Sequence, residues 1–219
     1  MVKVKMFLAA AAMAVAAAAS SAAALEGTQY VRLEHPIAAW QGKLVKVFSY
    51  DCRFCYRYDA SVDPRVIPQV QKEAGLTFYP VHLETKGKYG RTASEFFALC
   101  LLRDQAAGRT NMDKESLFVK TKNALYEAYH RKGETWEKGE GAFIKTMTRA
   151  SGISAEDFAK ERKSPAVQQL ADAWKASYDA AKVQGIPAFV VNGKYLVLNK
   201  SLRNAQSLVT LLNELSRLP

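Results

Sequence analysis

Apolar positions recur along this chain in two different periods, and the switch between them divides it. Leu44-Val45-Lys46-Val47-Phe48 is a nearly unbroken apolar run within Lys43 to Tyr50, as a strand covered on both faces requires; Lys46 is its one charged member. Tyr30-Val31-Arg32-Leu33 is a shorter candidate strand, closed by His35-Pro36. After Tyr50 a helix opens at Cys52. It is expected to break near Asp63-Pro64, where Asp63 caps and Pro64 begins a second segment running through Pro68 to about Glu73. Gly75 ends that segment, and Leu76 to Leu83 reads as the next strand. From Glu84 to Ala181 strand signals almost vanish. Helices are predicted over Thr92–Ala107, from Asp113 or Lys114 to about Arg131, and over Glu140–Ala150. A short one follows the Ser154 cap, and a long one runs from Ser164-Pro165 to Ala181. A strand signal then returns in Gly185 to Val191. Asn192-Gly193 signals a hairpin, Lys194 to Leu198 completes it, and a last helix spans Ser201 to Leu218 with Leu202, Ala205, Leu208, Leu211, Leu212 and Leu215 on one face.

The order is strand, strand, helix, strand, helical block, hairpin, helix. It indicates an α/β unit in two parts, residues 25–83 and 182–219, separated by a helical insertion over 84–181. The last helix of that insertion is equally suited to the junction, and no internal repeat interrupts the chain.

The first 24 residues change the setting. Lys3 and Lys5 precede an alanine-rich apolar stretch from Met6 to about Ala19, and Ala22 and Ala24 supply the small residues of a cleavage site. That is the layout of a secretory signal peptide; a retained anchor is the alternative, for which the stretch is short and weakly hydrophobic. Export means an oxidising compartment. Losing Lys3 and Lys5 lowers the formal charge of +10 by two. The surplus suits acidic partners or an anionic surface, or serves solubility alone. Without a dense Lys/Arg stripe, nucleic-acid binding is not expected.

Cys52-Arg53-Phe54-Cys55 carries the candidate chemistry. Cysteines at i and i+3 in a first helical turn share one face, close enough for a reversible disulfide, at the strand end where open α/β sheets place their chemistry. Two alternatives stay open. A zinc site needs four ligands, and the sequence offers no second close Cys or His pair. A purely structural disulfide closing so small a loop removes little unfolded-state entropy. Cys100, within Phe96-Phe97-Ala98-Leu99-Cys100-Leu101-Leu102, reads as a buried small hydrophobe, with a regulatory or intermolecular thiol as the rival. His35, His82 and His130 are isolated, and no metal or other cofactor is expected.

Residues 43–60 resemble the strand, CxxC and active-site helix of the DsbA family of thioredoxin-fold disulfide oxidases. Residues 185–198 (GIPAFVVNGKYLVL) match that family's Gly-hydrophobic-Pro-Ala-x-x-Val-Asn-Gly-Lys-Tyr hairpin. The basic balance and the unusual dipeptide resemble the DsbL subgroup. The resemblance implies a thioredoxin fold with an inserted helical domain. It makes Cys52 the exposed nucleophile, Cys55 the buried resolving sulfur, and Ile186-Pro187 a cis-proline loop facing them, with the Ile186 backbone available to an extended substrate. It further implies a monomer that gives its disulfide to reduced exported proteins and is reoxidised by a quinone-linked membrane protein of the DsbB or DsbI kind. A reductase or isomerase, a redox-linked chaperone and a metal-binding module remain the competing readings.

The chain departs from the family pattern in two places. Arg53 and Phe54 stand where Pro and His are common, so a permanent charge replaces an imidazole; Arg53 either folds toward Cys52 or extends into water. Lys46 stands where relatives commonly carry an acid, and an ammonium near the sulfurs favours thiolate where a carboxylate opposes it. Snorkelling to the surface is the rival for Lys46, and Asp59 or Glu73 are its candidate countercharges. Phe54 reads as an apolar contact surface, and Tyr50, Tyr56 and Tyr58 are divided between rim and core.

Overall fold

The computed structural model describes residues 24–219, so the proposed signal peptide lies almost entirely outside the described residues. Five strands form one mixed sheet: β1 (Tyr30–Arg32), β2 (Lys43–Phe48), β3 (Thr77–His82), β4 (Ala188–Val191) and β5 (Tyr195–Val197), in the order β1-β5-β4-β2-β3. β2 and β3 run parallel from Lys43↔Thr77 to Phe48↔His82, and every other pairing is antiparallel. This is the thioredoxin fold. α1 (Arg53–Ser61) and α2 (Asp63–Ala74) make the β2–β3 crossover, α3 to α8 occupy the chain between β3 and β4, and α9 (Ala205–Ser216) ends it.

Alternation along β2 sorts the sheet's two faces. Leu44 joins Phe189 and Val191 against Val66, Ile67 and Val70 of α2 and Leu208, Leu211 and Leu212 of α9. Val45 and Val47 join Ala188 and Val190 on the other face, within a larger core that also holds Phe96, Phe97, Phe118, Trp136 and Phe143. Lys46 has the parity of Leu44 and lies towards α2, a polar group inserted among apolar neighbours.

The helical block comprises α3 (Gly90–Ala106), α4 (Leu117–Tyr126), α5 (Glu140–Ser151), α6 (Ala155–Glu161), α7 (Pro165–Ala173) and α8 (Ser177–Gln184). Several boundaries differ from the sequence reading. α4 starts at Leu117 because Ser116 caps it and the buried Asp104 carboxylate of α3 accepts the N–H groups of Leu117 and Phe118 at 2.8 and 2.9 Å. The long helix expected from Pro165 to Ala181 is two helices joined by a tight turn at Trp174–Ala176. α9 begins at Ala205 rather than Ser201, since Asn204 and Ser207 form a reciprocal capping box. Asp63 is not a cap. Val62 takes that position, and the Asp63 side chain turns inward to Lys46. At the hairpin, Asn192 and Gly193 both have positive φ (54° and 65°), as a two-residue turn matched to strand twist demands.

Candidate active site around Cys52 and Cys55

β2 delivers the chain to the C-terminal edge of the sheet, and Ser49-Tyr50-Asp51 leads from there into α1. Cys52 is the N-cap. Its N–H donates to the Ser49 carbonyl (3.1 Å), and its Sγ accepts the Cys55 N–H at 3.0 Å. Cys52 and Cys55 are joined in a disulfide with Cα atoms 5.2 Å apart. Facing them is the loop before β4, where the Ile186–Pro187 peptide is cis and the Ile186 carbonyl oxygen lies 3.5 Å from Cys52 Sγ. Cys52 is only 4% exposed and Cys55 fully buried. Cys52 is thus more covered than the sequence reading supposed, its sulfur forming part of the floor of a cleft.

That cleft has a volume of about 540 Å³ and is walled by Phe54, Lys86, Tyr178, Lys182 and Ile186. Phe54 (60% exposed) and Tyr178 are its prominent apolar side chains; Tyr178, from α8, carried no local signal in the sequence. Arg53 is exposed. Asp51 is held by the Ser49 hydroxyl (2.9 Å) and lies 3.7 Å from Lys86 Nζ. Of the three tyrosines, Tyr50 is core, and burial pushes its phenol up to about 12; Tyr56 and Tyr58 are half-buried.

Lys46 neither snorkels nor pairs with Asp59 or Glu73. Its ammonium bonds Asp63, with both side chains nearly inaccessible (4% and 5% exposed). Asp59 instead pairs with Lys122 of α4, and Glu73 accepts from Gln69 and Asn213. Register decides this: α2 brings residue 63, not 59 or 73, over the middle of β2. The four charges border a cavity of about 200 Å³ into which Tyr126 also faces. Desolvation dominates there. It raises the Asp63 carboxyl above the usual carboxylate range despite Lys46, and it lowers the Lys122 ammonium despite Asp59. Asp63 and Lys122 were invisible as site residues in the sequence, because both contacts join elements distant along the chain.

Two histidines also lie closer to the site than the sequence indicated. His82 is buried with Nδ1 2.8 Å from the Ser94 hydroxyl and its ring stacked on Tyr50, and burial lowers it to about 3. His130 contacts the Tyr50 carbonyl through Nε2 at 2.9 Å. Cys100 is buried and free, beside the Thr121 hydroxyl. Among the described residues no cluster of His, Cys, Asp or Glu could hold a metal ion, and no helix is long and apolar enough to cross a membrane.

A disulfide at a helix start, facing a cis-proline loop on a five-stranded mixed sheet, defines a recognisable site. The family model of the DSBA-like thioredoxin domain matches residues 43–215. The chain belongs to the DsbA family. It is 49% identical over 193 residues to the thiol:disulfide interchange protein DsbL of Escherichia coli O6:H1, covering 87% of this chain and 86% of that one. The crystal structure of DsbL from Salmonella enterica serovar Typhimurium superposes with a TM-score of 0.85 at 48% identity, over 91% of this chain and 100% of that one. The DsbA of Salmonella typhi is more distant, at 30% identity over 196 residues, covering 88% of this chain and 86% of that one. Within its family the chain therefore matches the DsbL subgroup closely. It is a thiol:disulfide oxidoreductase, and Cys52–Cys55 is its active-site disulfide.

Proposed function

We propose that the protein is an exported, periplasmic oxidase that donates the Cys52–Cys55 disulfide to reduced substrate proteins. The observation that carries this reading is the position of Cys52 Sγ on the Cys55 N–H at the start of α1. Unpaired N–H groups and the helix dipole there favour a thiolate on that sulfur. A substrate thiolate attacks Cys52 Sγ, forming a mixed disulfide and displacing Cys55 as a thiolate that takes up a proton. The second substrate thiolate then attacks its own sulfur in the mixed disulfide, and Cys52 leaves with the electron pair as the stabilised thiolate. A leaving group held in this way makes a strong oxidant, a behaviour for which DsbA is itself the standard example.

Ile186 and Pro187 form the substrate-side wall. An extended segment entering the cleft meets the Ile186 backbone beside its own reacting cysteine, in the manner of strand addition. Phe54 supplies apolar contact area. Arg53 adds a solvent-screened positive charge. Lys46 acts on the sulfurs only through its balance with Asp63. With Lys86 facing Asp51 and Lys182 paired with Asp179, the Arg53 charge leaves the rim a modest positive excess, which suits acidic segments beside the substrate cysteine. The oxidised form is regenerated by a quinone-linked membrane reoxidase of the DsbB or DsbI kind, a step carried by family likeness.

The test is the equilibrium of Cys52–Cys55 with a glutathione redox buffer, paired with a pH titration of thiolate absorbance. An oxidase shows a couple well above glutathione and a Cys52 thiol well below the usual thiol range. A reducing couple with an ordinary thiol pKa overturns the proposal in favour of a reductase.

A further inference from the structure

The imidazole lying against the active-site loop comes from the helical block, not from the cysteine motif. After α4 the helix widens over Glu127–Arg131, and the Lys132 N–H donates to the Glu127 carbonyl, five residues back, at 3.1 Å. Single widened turns of this kind re-aim side chains and recur at functional sites. Here the turn presents His130. Its Nε2 is 2.9 Å from the Tyr50 carbonyl oxygen, and since a carbonyl can only accept, Nε2 carries a proton. Its ring stacks on Tyr56, with centroids 5.1 Å apart and planes within 3°. Tyr129 and Tyr126 complete the aromatic surround at 5.0 and 5.8 Å, and Asp51 and Arg53 are the charged groups that act on it. Tyr50 lies two residues before Cys52, and Tyr56 directly follows Cys55. One side chain therefore grips both flanks of the disulfide.

We propose that His130 is a positioning residue for disulfide exchange, fixing the Tyr50–Cys52 loop so that Cys52 Sγ stays on the Cys55 N–H once the disulfide has opened. In the oxidised protein the S–S bond itself restrains that sulfur. In the reduced protein that bond is gone and the loop supplies the restraint, through the Cys52 N–H bond to Ser49, the Asp51 contacts and the His130 bond to Tyr50. The restraint matters more in the reduced form, so His130 contributes to the leaving ability of Cys52. This inference rests on the reading of Cys52 as the stabilised thiolate.

The experiment compares His130→Phe, which keeps a stacking ring and removes the donor, with His130→Gln, which keeps a donor near Nε2 and removes the ring. Both are measured in the full mature chain by thiolate titration, glutathione equilibrium and thermal midpoints of each redox form. His130→Phe is expected to raise the Cys52 pKa and shift the equilibrium about three- to tenfold towards retention of the protein disulfide, a size set by one hydrogen bond. His130→Gln recovers most of the shift. Equal destabilisation of both redox forms, with titration and equilibrium unmoved, overturns the proposal and leaves His130 a packing residue. Should His130→Phe not fold, the imidazole ¹⁵N spectrum of the reduced wild-type protein decides. A protonated Nε2 supports the brace, and an Nδ1–H tautomer refutes it. An ordinary Cys52 pKa in the wild type defeats the oxidase reading itself, whereas a low wild-type pKa unchanged in His130→Phe defeats only the role of His130.

Discussion

Replacing Lys46 with methionine keeps the chain length and volume of the side chain roughly constant and leaves Asp63 as a buried carboxylate without its ammonium. Both side chains are almost fully enclosed, and Asp63 Oδ1 has no hydrogen-bond partner within the structure, so apart from the Lys122 ammonium on the same cavity little else offsets the charge. Removing one member of such a pair costs about 3–5 kcal/mol. For a chain of this size that corresponds to a fall in Tm of about 6–20 °C. The loss should depend on pH. In the wild type, burial already raises Asp63 above its unfolded value, and without Lys46 it rises further. The native state then binds the proton more tightly than the unfolded state, so the variant gains stability as pH falls through its raised folded pKa. That gain is complete below the unfolded value near 3.8, and it is lost again as pH rises. The gap between wild type and Lys46→Met is therefore widest near neutrality and narrows towards pH 4. Lys46→Met combined with Asp63→Leu removes both charges and should restore most of the stability, as apolar replacements of buried ion pairs commonly do. Urea unfolding across pH 4–8 measures all three proteins. A single variant within about 1 kcal/mol of wild type at pH 7, or a double variant no better than the single, would refute the assignment of Lys46–Asp63 as a desolvated pair.

Phe54→Ser is expected to leave stability and the Cys52 titration unchanged, since the ring is mostly in solvent, while lowering kcat/KM for a protein substrate by about tenfold, or ~1.4 kcal/mol of lost apolar contact. Unchanged kinetics would remove Phe54 from the contact surface. Arg53→Met should raise the Cys52 pKa only slightly at low salt and by nothing measurable near 1 M, because exposed charges are screened; a large, salt-insensitive shift would mean that the side chain folds onto the sulfur. Cys100, pushed up to about 12 by burial, should resist thiol reagents in the native oxidised protein and appear as one reactive thiol on unfolding. Gly87→Ala should destabilise by about 1–3 kcal/mol, because φ is +87° and a Cβ would sit 2.6 Å from the Tyr50 ring that supports the active-site loop.

Local signals were enough wherever the chemistry is local. The apolar run of β2, the proline and glycine punctuation, the Asn192-Gly193 turn and the i, i+3 cysteines each depend on neighbours in sequence, and together with the late proline they carry the family resemblance that implies a thioredoxin-fold oxidoreductase with inserted helices. Boundaries failed where a distant group intervened. Ser116 and the Asp104 carboxylate of α3 set the start of α4. Asp63 looked like a helix cap because Asp-Pro usually is one, but a buried lysine on β2 offered its carboxylate a stronger partner than backbone N–H groups do.

Lys46 and His130 mark the division most clearly. The sequence by itself determined that a lysine interrupts a buried strand beneath two cysteines, and that no histidine lies between those cysteines. Tertiary structure alone decided that the lysine is matched by Asp63, and that an imidazole reaches the cysteine loop from a widened turn 78 residues beyond Cys52. The physical reason is the same in both cases. The field at a sulfur depends on distance through space, and packing of the helical block against the sheet sets those distances without leaving a trace in local pattern.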